Sequence, residues 1–121
     1  MLENIALIKE VHELLGREKA EALANEYLQK IGLSHIGLYR LNQCSDVEIF
    51  YVMFIRALMS KATDVIITTP FSLISNLRDI EPIIATLKLL GSEKNIFILD
   101  SVINELHYKE KSCHIVKWNL Q

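Results

Sequence analysis

From residue 34 onward, short bounded apolar runs alternate with longer stretches of helical period, and this alternation most limits the folds open to the chain. The runs are residues 35–41 (HIGLYRL), 65–68 (VIIT), 95–99 (NIFIL) and 113–118 (CHIVKW). Each is short and bounded by polar or turn-forming residues, which marks it as a strand. Between them, residues 47–60 are apolar nearly all round and long enough for a buried helix, with Ser45 or Asp46 placed to cap it. Residues 76–90 carry Leu77, Ile80, Ile83, Ile84, Leu87 and Leu90 on one helical face, with Pro82 in the first turns and Gly91 closing the pattern. Residues 101–108 fit a short helix.

The first third of the chain is helical throughout. Residues 2–15 hold apolar side chains over a wide arc, and Gly16 interrupts them. Residues 17–31 repeat a stripe of Ala20, Leu23, Ala24, Tyr27, Leu28 and Ile31, and Gly32 is placed as a left-handed C-cap. The element order is therefore α-α-β-α-β-α-β-(α)-β. Strands alternating with helices imply right-handed crossovers and a mostly parallel sheet covered on both faces. The expected fold is α/β: three layers, a short mostly parallel sheet of about four strands, and an N-terminal helical hairpin. Continuous apolar strands agree with double cover. No linker or repeat divides the 121 residues, so one domain is expected, with a helical extension over 1–33 and an α/β core over 34–121.

Charge and cysteine content exclude several function classes. The net charge of −2 exerts no general pull on nucleic acid or anionic membrane. The two cysteines, Cys44 and Cys113, have no zinc-ligand spacing, and the four histidines are scattered, so no metal and no cofactor is expected. The first residues lack the pattern of a signal peptide, and no apolar run reaches the roughly 18 residues of a membrane span. A cytoplasmic protein is expected.

The segment Ile36-Gly37-Leu38-Tyr39-Arg40-Leu41-Asn42 matches a strand of the form I-G-Y-x-R-V-S. Residues 69–79 (TPFSLISNLRD) align with a loop and helix of the form K-L-D-R-L-x-R-[SN]-L-x-D, and Gly91 with residues 95–100 (NIFILD) follows a further helix and strand. Over roughly half its length the chain thus resembles the catalytic domain of serine recombinases, the resolvase/invertase family. The resemblance implies a nucleophilic serine at Asn42, which has no hydroxyl to form the phosphoserine link. It implies an aspartate and an arginine at Phe71 and Ser72, and a further arginine at Ser75. Those arginines would hold the phosphate and its transition-state charge, and only Arg40 keeps a matching cation. No catalytic residue is therefore assigned, and the chain is expected not to be an enzyme.

Two non-catalytic roles follow, and one weaker catalytic one. The first is a recombinase-like domain used as a protein-interaction or regulatory module, with a protein partner or a second copy of itself. Its contact surface is sought on the wide apolar face at Ile5, Ile8, Val11 and Leu15. The second is a small-ligand or nucleotide site at the strand C-terminal ends, built from Arg40, Thr69 and Asp100. The third would use Cys44 as a nucleophile. An interaction module predicts that the strand-end crevice is filled, with Phe71 packed inward.

Overall fold

Two helices form the N-terminal hairpin. The structure is a computed structural model and describes residues 1–12 and 14–117. Helix α1 (Leu2–His12) packs on α2 (Arg17–Lys30) along a seam where Ile5 and Ala6 meet the side of Ala20, Ala24 and Leu28, all fully buried. Alanines at the seam let the two backbones approach closely. Helix α2 ends in a Schellman motif: Gly32 lies at φ +71, the Leu33 N–H bonds the Leu28 carbonyl at 2.8 Å, and the Gly32 N–H bonds that of Gln29 at 3.1 Å. The C-cap expected at Gly32 is thus formed.

Helix α3 (Asp46–Leu58) begins with a capping box. The Ser45 hydroxyl accepts the Glu48 N–H at 3.2 Å, and the Glu48 carboxylate accepts the Ser45 N–H at 2.8 Å. Strand β1 (Asp64–Thr68) follows, then the single turn α4 (Pro70–Leu73), helix α5 (Glu81–Leu90), strand β2 (Asn95–Leu99) and a 3-10 helix, Val102–His107. The two strands are parallel, with Asp64 opposite Asn95 and Thr68 opposite Leu99. One hydrophobic cluster runs from Ile5 and Leu28 through Phe50 and Ile55 to Leu87 and Leu90, so the hairpin shares its core with the rest of the chain. Full burial of side chains such as Ile5, Leu28 and Ile55 stabilises the fold by about 1.5–3 kcal/mol each, more than the roughly 1 kcal/mol of a cap.

Three sequence expectations are corrected. Residues 35–41 are not a strand but two 3-10 turns, Ser34–Leu38 and Leu41–Gln43. Gly37 sits against α1, where a Cβ would meet Leu2 at 3.1 Å. The carbonyls of Gly37 and Tyr39 are taken by the Met1 ammonium and not by a ladder. Residues 113–117 are also irregular, and they follow a turn that is anchored by side chains. Lys88 donates to the Ser112 carbonyl, and the Ser112 hydroxyl to Glu81. Trp118, the end of that expected strand, lies outside the described residues. Helix α5 starts at Glu81 and not at residue 76: a start at 76 would put Pro82 inside the helix, where its ring breaks the ladder.

Among the described residues the sheet therefore has two strands, not about four. Its layering differs as well. Val65 and Ile67 are buried, with Ile96 and Ile98 half-buried beside them, against the core. The opposite face, which carries Ile66, Phe97 and Leu99, is exposed, so the double cover expected from the apolar runs is not made among the described residues.

Candidate functional site

The C-terminal ends of β1 and β2 are where an open α/β sheet would offer a crevice. At the end of β1, Thr69 turns the chain with φ +45, and its N–H donates to the Leu99 carbonyl at 2.8 Å. Pro70 then opens α4 and swings Phe71 across the strand ends. The Phe71 ring lies 4.6 Å from that of His107 and meets the Tyr108 ring edge-on at 6.1 Å. Phe71 is half-buried and packs against the core, inward as an interaction module requires.

Asp100, at the end of β2, is occupied by its own loop. Its Oδ1 accepts the Ser101 N–H at 2.7 Å and the Asn104 side-chain amide at 2.8 Å, and its Oδ2 accepts the Tyr108 hydroxyl at 2.5 Å. Three of its roughly four lone-pair positions are thus engaged. Burial, and then the bond to Asp100, pushes the Tyr108 phenol well above its ordinary pKa of 10.0. The carboxylate fastens the 3-10 helix over the strand ends.

Arg40 does not join this group. It is exposed beside the Leu41–Gln43 turn, where its N–H donates to the Gln43 side chain at 2.8 Å and its carbonyl accepts the Cys44 thiol at 3.6 Å. Among the described residues no hydrogen bond or ion pair ties Arg40 to Thr69 or Asp100. Thr69 and Asp100 are neighbours across the sheet, but Arg40 belongs to a different turn.

The positions where the recombinase resemblance expects chemistry lie in turns and at a backbone-to-side-chain bond. Asn42 is exposed in a 3-10 turn, and the Ser72 N–H returns to the Thr69 carbonyl at 2.9 Å. Ser75 does not cap a helix, as its place before residue 76 suggested. Its N–H donates to Asp46 Oδ2 at 3.2 Å, and hydrogen bonding from Ser75 holds the Asp46 carboxyl below its ordinary pKa of 3.8.

Neither cysteine has its thiol pKa lowered. Burial, followed by Glu48, raises the Cys44 thiol, and burial, followed by Glu81, raises Cys113. A raised pKa keeps the thiol protonated, the reverse of what a nucleophile needs. Among the described residues no three His, Cys, Asp or Glu side chains form a metal-ligand group, and no helix is long and apolar enough to cross a membrane.

Much of the apolar face of α1 is buried within the chain. Ile5 is wholly buried and Ile8 half-buried against the core, because α1 touches both α2 and α3. Leu15 is half-buried at the hairpin turn, and Val11 alone of the four points outward, beside Leu7. Other apolar side chains are also exposed, among them Ile66, Phe97 and Leu99 on the bare sheet face, and Val102, Ile103 and Leu106 on the 3-10 helix. Leu106 is 92% exposed and Ile103 85%. The alternation of Ile66, Phe97 and Leu99 was the available signal, but continuous apolar runs read as buried on both faces.

No protein-family model, curated protein or solved structure matches this chain.

Proposed function

We propose that the chain is a non-catalytic, serine-recombinase-like domain that works as a protein-interaction or regulatory module. The observation that carries this reading is the uncovered sheet face. Parallel strands are almost always covered on both sides, yet here Ile66, Phe97 and Leu99 face solvent. A partner laid on that face would supply the third layer of the architecture and remove apolar surface from water. The closed strand ends also favour this role over a ligand site, since Asp100 is bonded to its own loop and Phe71 fills the space beside it. The recombinase likeness within the proposal rests on the letters of residues 36–42, 69–79 and 91–100. The absence of a serine at position 42 and of arginines at 72 and 75 favours a non-enzymatic role.

The test is capture from native lysate with the wild type and with Phe97→Glu, an exposed position. A partner retained by the wild type and lost by the variant is expected. Thermal shift with nucleotides and acidic metabolites is run beside it. A stabilising ligand whose effect disappears in Asp100→Ala would overturn the interaction role and reinstate the crevice.

A further inference from the structure

We infer that residues 101–107 are a gate over the strand ends, latched by Asn104 on Asp100, that opens by unwinding its 3-10 turn while the core stays folded. This goes beyond the interaction-module reading and does not depend on it.

The first support is what the segment leaves out of the core. No residue of the 3-10 helix Val102–His107 is buried, and only Asn104 and Glu105 are half-buried. Its apolar side chains, Val102, Ile103 and Leu106, are exposed, and none of them joins the hydrophobic cluster. Helix α5 is the contrast, with Ile83, Ile84, Leu87 and Leu90 buried. A segment opens at the cost of the contacts it breaks, so one with no buried apolar side chain opens far more readily than the core. The 3-10 turn adds little resistance, because its hydrogen-bond geometry is poor.

The second support is where the hydrogen bonds go. The Ser101 N–H and the Asn104 side-chain amide both end on Asp100 Oδ1, the residue just before the segment. The backbone bonds are local: the Asn104 N–H reaches the Ser101 carbonyl at 3.0 Å and the Tyr108 N–H the Glu105 carbonyl at 3.1 Å. Two further ties remain, the His107 ring on Phe71 and the exposed Glu105–Lys117 pair, which is worth little.

The base of the segment is built differently. Tyr108 packs against the core, and its hydroxyl bonds Asp100 Oδ2, so the two ends are pinned together. Asp100 and Tyr108 are therefore the hinges and Asn104 is the latch. Opening carries His107 off the Phe71 ring and frees Oδ1 of Asp100 at the end of β2. The strand ends, closed in this structure, become accessible by that one motion.

Native-state hydrogen exchange read by NMR tests this on the whole chain, in a series of low guanidinium chloride concentrations. The amides of residues 104 and 108 should show measurable protection, exchange faster than those of Phe54 and Ile55 in α3, and barely respond to denaturant, whereas the α3 amides accelerate steeply. Asn104→Ala should speed exchange at residue 108 by about 5-fold. Tyr108→Phe loosens a hinge and not the latch, so it should leave residue 104 within about 2-fold of wild type. Gate amides that share the rate and denaturant slope of α3 overturn independent opening, and this readout needs no variant. Gate amides with no protection at all overturn the closed state. Unchanged exchange at residue 108 in Asn104→Ala, or an equal acceleration of the gate by Tyr108→Phe, overturns Asn104 as the latch.

Discussion

The hydroxyl of Tyr108 donates to Asp100 Oδ2 at 2.5 Å, joining the end of β2 to the far end of the 3-10 helix that follows it. The same carboxylate holds Ser101 and Asn104, so one side chain fixes both ends of the loop. A group placed where a ligand would be read has become a loop anchor.

Tyr108→Phe removes one donor from that anchor and should cost about 1 kcal/mol, below the roughly 1.5–3 kcal/mol of a bond to a charged group because Tyr108 keeps some solvent contact. The cost depends on pH with a defined sign. Burial and Asp100 raise the phenol above 10.0 in the fold, so its contribution is fully present below that value. It is lost as pH rises further, because the unfolded chain can ionise there and the folded one resists. Urea unfolding of both proteins at pH 8 and above pH 10 should show the gap between them closing at the higher pH.

Asp46→Asn tests the bond that ties the start of α3 to Ser75. The carboxyl pKa is lowered in the fold by hydrogen bonds from Ser75, so its stabilisation is present above 3.8 and falls away as pH drops through the folded value. Wild type should be the more stable at pH 7, and the two proteins should converge in acid. A gap that is independent of pH would argue that the bond is not formed in solution.

Gly91→Ala should cost about 1–3 kcal/mol by overpacking. A Cβ there would sit 2.8 Å from Ile96 Cδ1, 3.1 Å from the Leu87 carbonyl oxygen and 3.2 Å from Phe54 Cζ. The isoleucine can rotate but the carbonyl is held by the helix, so relief is partial. Gly16→Ala is the control, since nothing lies within 4 Å of its Cβ position. Thermal unfolding of the two variants should separate them clearly.

Leu106→Glu should leave stability within about 0.5 kcal/mol, as a solvent-facing substitution does. At high dilution, where no partner covers this side chain, it should lower the binding of an apolar dye to the folded protein. Unchanged dye fluorescence there would mean that Leu106 is covered within the chain itself.

Elements written in local chemistry were legible in the sequence. Gly32 announced its own cap, Ser45 or Asp46 marked the start of α3 and the structure takes Ser45, and the runs at 65–68 and 95–99 became the two strands. Residues 35–41 misled because a short apolar run with a central glycine suits a strand and a tight turn equally, and contact with Leu2 decides between them. The strand-end closure was legible only in part. Phe71 was expected to point inward, but its partners His107 and Tyr108 are distant in sequence and leave no periodic trace. The contact surface was sought on α1 because a wide apolar arc does not say which neighbours cover it. Here α2 and α3 cover Ile5 and Ile8, Val11 stays exposed, and further apolar side chains are bare on the sheet.

The pairing of Asp64 with Asn95 sets a schedule as well as a register. Strand β1 leaves the ribosome before α4 and α5, and its only partner among the described residues comes after them. At about 5–20 residues per second, the roughly 30 residues between them take some 2–6 s to synthesise. Through that interval Val65, Ile66 and Ile67 are an unpaired apolar segment of a nascent chain. The hairpin of α1 and α2, synthesised well before, shares its core with α3 and α5 and so completes its packing only once they follow. Early release or stalling between residues 68 and 95 would therefore free a chain whose β1 has no neighbour, the state most open to aggregation and to capture by chaperones.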